Sequence, residues 1–391
     1  MVSMTAARPA GRVGAAQLVV VEVVAIAAAA AVFALPPAAA GVVGAVVAAG
    51  LLGAAVRFRG RWGYEVVGAR WRLARRRRAA RQEAGAGAAI GLLAPELTLA
   101  TARDRGGAVG IGEDGAGWFA AVAVLPHDGL ARGAATELRL DRLARLAADP
   151  AFPAGVLQVV TRRAPAPAAG DDPRASYARS YSELRRALGV PGPLDIWLAV
   201  RLGPRDGAAA AADRGGGRAG VHRALAAAVS RVGSELAAMG IAYRVLDADS
   251  LRLALTVACG PLSPGPARES WSRWQAGTEA HVCFAVRGWP ERGAGDPFAR
   301  LTDVPSATSV HAALLLTPSR ADDQSGGDGG GVAAQTVVRV AAATGDVSAC
   351  VKHLHATAAT LGVRLVRLNG EQAAGVYATT PTGAATGLVP W

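Results

Sequence analysis

Two apolar runs near the start of the chain constrain it more than any other feature. Residues 13–35 are interrupted only by Gln17 and Glu22, and residues 38–56 carry no charge at all. Each run is about the length that crosses a hydrocarbon core of roughly 30 Å. Pro36 and Pro37 lie between them and force a reversal. A cleaved signal peptide is the competing reading of the first run, but the run is too long for a signal core and the second follows at once. The sequence therefore predicts a transmembrane helical hairpin over 13–56, preceded by an N-terminal segment 1–12.

Arginine placement sets the expected orientation. Arg8 and Arg12 precede the first run, and Arg57, Arg59, Arg61, Arg70, Arg72, Arg75, Arg76, Arg77, Arg78 and Arg81 follow the second, while the loop between them is uncharged. Positive charge stays on the cytoplasmic side, so both ends are expected there. Of the net charge of +12, residues 1–81 hold 12 arginines against Glu22 and Glu65. The basic character thus belongs to the connector 57–82 and not to the remainder 83–391, which argues against a broad nucleic-acid surface. Trp62, Tyr64 and Trp71 interleave the arginines, a composition suited to anionic headgroups or to a docking partner, and a surface-lying helix is expected over 64–81. Within the second run Gly41, Ala45, Ala49 and Gly53 recur every four residues, so they share a helix face on which another helix packs closely.

Residues 83–391 read as an α/β domain. An Asp-Gly turn at 114–115 joins strands at 107–111 and 118–125. Helices are expected over 137–148, 174–188, 219–239, 250–258, 297–302, 347–361 and 371–378. Strands are expected over 155–161, 194–202, 241–246, 281–286, 311–316, 337–342 and 363–368. Residues 164–173, 205–217 and 321–331, rich in Pro, Gly, Ala or Asp, read as surface loops. Two stretches look alike: a long helix closed by Gly240 or Gly362, a short strand, then Asp247 or Asn369 opening another helix. That parallel is either an internal duplication or the chance likeness of two helix–strand–helix units common in α/β domains.

Chemistry is sparse. Cys259, Cys283 and Cys350 are far apart and odd in number, so no disulfide framework or zinc motif is expected. The six histidines form no metal-binding pattern; His353 and His355, two apart on a helix, face different ways. Gly215, Gly216 and Gly217 precede a long helix but lack the Gly-Lys-Ser/Thr ending of a phosphate loop, so they read as a linker. Trp271, Trp274 and Trp289 with Phe284 read as core residues before a pocket lining. Asp247-Ala248-Asp249 is a lone D-x-D triplet after a strand, and it reads first as a helix cap. No catalytic residues, cofactor or metal ligands are expected.

Six stretches resemble one known family. They are LVVVEVV at 18–24, RFRGRWGYEVVGARWRLARRRR at 57–78, VGIGEDGAGWFAAVAV at 109–124, LRLDRLARLAADPAFPAGVLQVVTRRAPAP at 138–167, DRGGGRAGVHRALAAAVSRV at 213–232 and HVCFAVRGWP at 281–290. In layout and phrasing the chain resembles EccE, a membrane component of the actinobacterial type VII secretion system. The resemblance implies a non-catalytic subunit of a plasma-membrane complex with EccB, EccC and EccD. The family's domain has also been likened to sugar-nucleotide folds, so a membrane-anchored glycosyltransferase using Asp247 and Asp249 on a metal is the alternative reading.

Overall fold

The structure is a computed structural model. It describes residues 57–58, 61–82, 89–104, 107–125, 138–164, 194–260, 267–288, 297–304, 306–318 and 331–385, with isolated positions at 22, 26, 36 and within 176–183. The expected hairpin 13–56, with Gly41, Ala45, Ala49 and Gly53, lies outside these residues except for Glu22, Ile26 and Pro36, as does most of the expected helix 174–188. Among the described residues no helix is long and apolar enough to cross a membrane. The chain divides into two compact units, one over residues 7–79 and one from residue 80 onward.

In the first unit a short hairpin, β1 (Arg57–Phe58) and β2 (Arg61–Trp62), leads into helix α1 (Gly63–Gln82). The helix forms where it was expected. Arginines at 70, 72, 75, 76, 77 and 78 fall on every side of it at 3.6 residues per turn. Its buried positions are Ala69 and Leu73, one turn apart.

The second unit is an α/β domain built on one large sheet, antiparallel throughout its described pairings. In chain order its elements are α2 (Ala89–Leu93), β3 (Thr98–Asp104), β4 (Gly107–Glu113), β5 (Trp118–Val124), α3 (Leu140–Ala148), β6 (Val156–Arg163), β7 (Leu194–Leu202), α4 (Pro204–Ala212), α5 (Gly217–Ala238), β8 (Tyr243–Val245) and α6 (Ala248–Cys259). There follow β9 (Ala267–Glu269), β10 (Trp274–Ala276), β11 (Glu279–Gly288), α7 (Pro297–Leu301), β12 (Ser309–Pro318), β13 (Val332–Ala343), α8 (Val347–Thr360), β14 (Arg364–Arg367) and α9 (Gln372–Ala378).

The strand order is β3-β4-β5-β7-β6-β12-β13-β11-β10-β9, with β8 beside β5 and β14 beside β11. Read from the β6/β12 seam outward, both halves repeat one order. Individual hydrogen bonds repeat with it. Leu246 N–H donates to Ala121 O, and Leu368 N–H donates to Cys283 O; Ile241 donates to Leu236 O, and Val363 to Ala358 O; Gly240 donates to Ala237 O, and Gly362 to Ala359 O. Gly240 and Gly362 both take the left-handed conformation, with φ of 73° and 69°, which ends each helix without a Cβ clash. The second half thus repeats the six strands of the first and its helices α3, α5 and α6, as α7, α8 and α9; α4 has no counterpart, since only residues 344–346 separate β13 from α8.

Apolar residues alternate between the sheet's two faces. One face packs Leu157, Val159, Leu198 and Val200 under α3, α4 and α5, and Val282, Phe284, Val338 and Val340 under α7 and α8. The other face is covered by α2, α6 and α9. Gly110 lets the start of α6 approach β4, since a Cβ there would fall 2.5 Å from the Asp247 carbonyl.

Several expectations need correction. Residues 204–212 are helix α4 and not a loop: Pro204 sits in the first turn, where its missing N–H costs nothing, and alanines continue the helix. Gly215, Gly216 and Gly217, all at positive φ, are therefore a turn between two helices, with Gly216 N–H donating to Ala211 O. The hairpin at 107–125 pairs only at Gly112–Phe119 and Glu113–Trp118, because β8 takes over the edge of β5 beyond that point. The reading of Trp274 and Phe284 as core residues stands: both are buried, on opposite faces of the sheet, with the Trp274 ring tilted against His281 at 4.9 Å.

Candidate functional site

The helix-poor face of the sheet carries the polar residues that the strands bury. In β6, β7, β11, β12 and β13 all but Thr336 occupy alternate positions, so they share one face. Register aligns Cys283, Arg339, His311, Arg162 and Asp195 as one row across five strands. Gln158 and Arg201 lie on the same face further along.

The first constellation is built around a turn. Asp114 N–H donates to Gly117 O at 3.2 Å, and Ala116 N–H donates to Asp114 Oδ1 at 3.2 Å. Gly115 and Gly117 supply the positive φ values, 73° and 147°, that this turn requires. The carboxylate so presented receives both arms of the Arg201 guanidinium, at 2.6 and 2.9 Å, and the Tyr377 hydroxyl at 2.6 Å. Arg201 also donates to Thr382 O at 3.0 Å. The pair is buried, with side-chain exposures of 8% and 3%. Burial alone raises the Asp114 pKa, but the bonds from Arg201, Tyr377 and Ala116 outweigh it and hold the carboxyl below its ordinary value. Burial and the neighbouring carboxylate push the Tyr377 hydroxyl the other way, upward.

Beside it, Gln158 donates to Ala378 O at 2.8 Å and accepts from Gly383 N–H at 2.7 Å. These two sets of bonds fasten residues 377–383, from the second half, onto strands of the first. A cleft of about 480 Å³ opens above them, walled by Leu93, Pro95, Glu96, Ala116 and Ala384. Its polar floor is already saturated by internal hydrogen bonds. The arrangement is a clasp and not a set of groups converging on a reacting atom.

The second constellation centres on β11, β12 and β13 of the second half, with the end of α6 from the first half packed on it. Arg339 is fully buried and donates to Ala258 O, while its Nε and Nη1 find no acceptor among the described residues. Close by are His281, its Nε2 3.5 Å from Glu279 Oε2, and His311, 3.1 Å from Ser309 Oγ. Burial, reinforced by the Arg339 charge, holds both imidazoles well below the usual histidine range. Burial likewise raises Glu279, against the hydrogen bond from Thr308. It pushes the Cys259 and Cys283 thiols up to about 12, so neither is a nucleophile. The matching positions of the first half are Ala199 for Arg339, Gln158 for His311 and Phe119 for His281. Both constellations escaped sequence reading. The available signal was the alternation of Gln158, His281, His311, Gln335 and Arg339 within otherwise apolar strands.

Asp247 caps α6: its Oδ1 accepts from Ser250 N–H at 2.8 Å, and that bond holds its pKa below the ordinary value. Asp249, 94% exposed, stands 3.7 Å from Arg252 on the same helix. The two carboxylates do not converge. Among the described residues no group of three His, Cys, Asp or Glu side chains is arranged to hold a metal. His355 packs edge-on against Phe284 at 5.1 Å. The three cysteines are buried and none is in a disulfide. Of the connector arginines, Arg70, Arg72, Arg75, Arg76, Arg77 and Arg78 lie on α1, most of them exposed.

No curated protein matches the chain. Residues 190–286 match a family model whose description is "Putative type VII ESX secretion system translocon, EccE". That stretch runs from just before β7 to within β11, joining the two halves, and contains the expected stretch 213–232 and most of 281–290. The resemblance to EccE read from the sequence is met by this family model over residues 190–286, about a quarter of the chain.

Proposed function

We propose that the chain is a non-catalytic structural subunit of the type VII secretion complex in the plasma membrane. The observation that carries this reading is the EccE match across both halves of the sheet. The buried polar groups support it, because the Asp114 clasp fixes the chain's own segments and the D-x-D pair is used in a helix cap. Two copies of one α/β unit, fused through the β6/β12 seam, make the body of the subunit. Apolar runs 13–35 and 38–56 hold it in the membrane with both ends cytoplasmic, and Gly41, Ala45, Ala49 and Gly53 form a helix-packing face. Its partners are EccB, EccC and EccD, and the arginines from Arg57 to Arg81 meet anionic lipid headgroups.

Deletion and complementation test the reading. Loss of the chain should stop export of type VII substrates, and the double variant Asp247→Ala, Asp249→Ala should restore it. Export unaffected by deletion refutes the role; failure of the double variant at normal protein level refutes the non-catalytic assignment. Orientation is tested separately with a cysteine at Ala38, which a membrane-impermeant reagent should label from outside intact cells.

A further inference from the structure

Helix α1 is two-sided in a way that its arginine content conceals. At about 100° per residue, Ala69 and Leu73 sit on one side, and Val67, Trp71, Ala74, Arg75 and Arg78 fall within a sector of about 100° on the other. The first pair is buried; all five residues of the sector are exposed, Val67 at 67% and Trp71 at 65%. Exposed tryptophan and valine one turn apart on a helix are unusual on a surface that meets only water. The Arg75 guanidinium lies 5.9 Å from the Trp71 ring centroid, which holds cation and ring side by side on that face.

We propose that this face of α1, centred on Val67, Trp71 and Arg75, lies on an anionic lipid bilayer. The apolar pair enters the headgroup boundary, and Arg75 and Arg78 meet the lipid phosphates. Charge complementarity selects this occupant: residues 57–81 carry ten arginines against Glu65 alone. The helix also begins seven residues after the charge-free run 38–56 ends, so a chain anchored there has this face within reach of the headgroups. Tryptophan and arginine both favour that depth, the ring for its amphipathic body and the guanidinium for its long stem. The proposal rests on the membrane-anchor reading above.

The test uses the full chain in lipid nanodiscs, which leave both membrane faces open. Its native cysteines are buried, so Val67→Cys supplies the reactive thiol, and Leu253→Cys on exposed α6 reports general reactivity. With a soluble maleimide, Val67→Cys should label about tenfold more slowly in discs containing phosphatidylglycerol than in pure phosphatidylcholine, and high salt should remove the difference. Leu253→Cys should label alike in both. Equal labelling of Val67→Cys in the two lipids overturns the proposal. Slow labelling in both lipids and in detergent also overturns it, because a protein surface then covers the face. A chain that is not retained in neutral discs refutes the anchor instead; phosphatidylglycerol vesicles added to the free chain then test the α1 face by the same protection.

Discussion

Replacing Asp114 with alanine removes the acceptor at the centre of the clasp. Its carboxylate receives four hydrogen bonds, two from Arg201 and one each from Tyr377 and Ala116. The variant strands the Arg201 guanidinium at 8% exposure with Thr382 O as its remaining described acceptor. Breaking a buried pair from one side costs about 3–5 kcal/mol. Water in the cleft above Arg201 offsets part of this, so about 3 kcal/mol is expected. In a unit of this size each kcal/mol moves Tm by about 2 °C, giving a fall of about 6 °C. Tyr377→Phe loses one bond to a charged acceptor and should cost about 1.5–2 kcal/mol. Both substitutions act through one carboxylate, so the double variant should fall short of the sum by about 1 kcal/mol or more. Thermal melts of the full chain and the three variants complete the cycle. The Asp114 pKa is lowered by folding, so its contribution is complete above the ordinary carboxylate value near 4 and is lost as pH falls through the lowered one. The gap between wild type and Asp114→Ala should therefore close on acidification. A Tm change under about 1 °C at neutral pH, or a gap that widens in acid, refutes the clasp.

Other outcomes follow from the same structure. Folding lowers the pKa of His281 and His311, so stability should drop as pH falls below about 6.5, by up to about 1.4 kcal/mol per pH unit for each. His281→Phe with His311→Gln, the residues of the matching first-half positions, should flatten melting temperature between pH 7 and 5; an unchanged slope contradicts the assignment. Asp247→Ala should cost about 1 kcal/mol in denaturant titration through the lost cap, and Asp249→Ala almost nothing. At Gly375 a Cβ would fall 2.6 Å from Cys283 Cβ, so Gly375→Ala should destabilise by about 1–3 kcal/mol; a neutral result would show that α9 shifts freely on β11. Gly41→Leu with Gly53→Leu should leave the chain in the membrane but detach it from its partners, if that face packs against a partner helix; loss of the chain itself assigns the face to the hairpin.

How much of this was legible in the sequence varied by element. Strand β7 was readable residue for residue, because 194–202 is apolar apart from Asp195 and Arg201 and is closed by Gly203 and Pro204. The helix–strand–helix parallel at Gly240 and Gly362 was readable because glycine at a C-cap has a conformational cause. What it could not convey was the palindromic strand order, which depends on pairings between β6 and β12 about 150 residues apart. Helix α4 was hidden because Arg205–Ala212 has the low-complexity look of a linker, and only Pro204 marks its start. Strands β9 and β10, three residues each, are too short to show a period. The clasp was invisible for a different reason: Asp114 reads as an ordinary turn residue, and nothing local says that Arg201 and Tyr377 will reach it. The D-x-D triplet was legible, since a cap needs only its own helix.

The central claim is membership in a secretion complex, and the most direct measurement is recovery of that complex from native membranes through a tag on this chain. Mild-detergent purification should bring down EccB, EccC and EccD together at fixed proportion, retained through size exclusion. Recovery of the tagged chain alone, at normal level and from membranes in which the other three still assemble, would contradict the account.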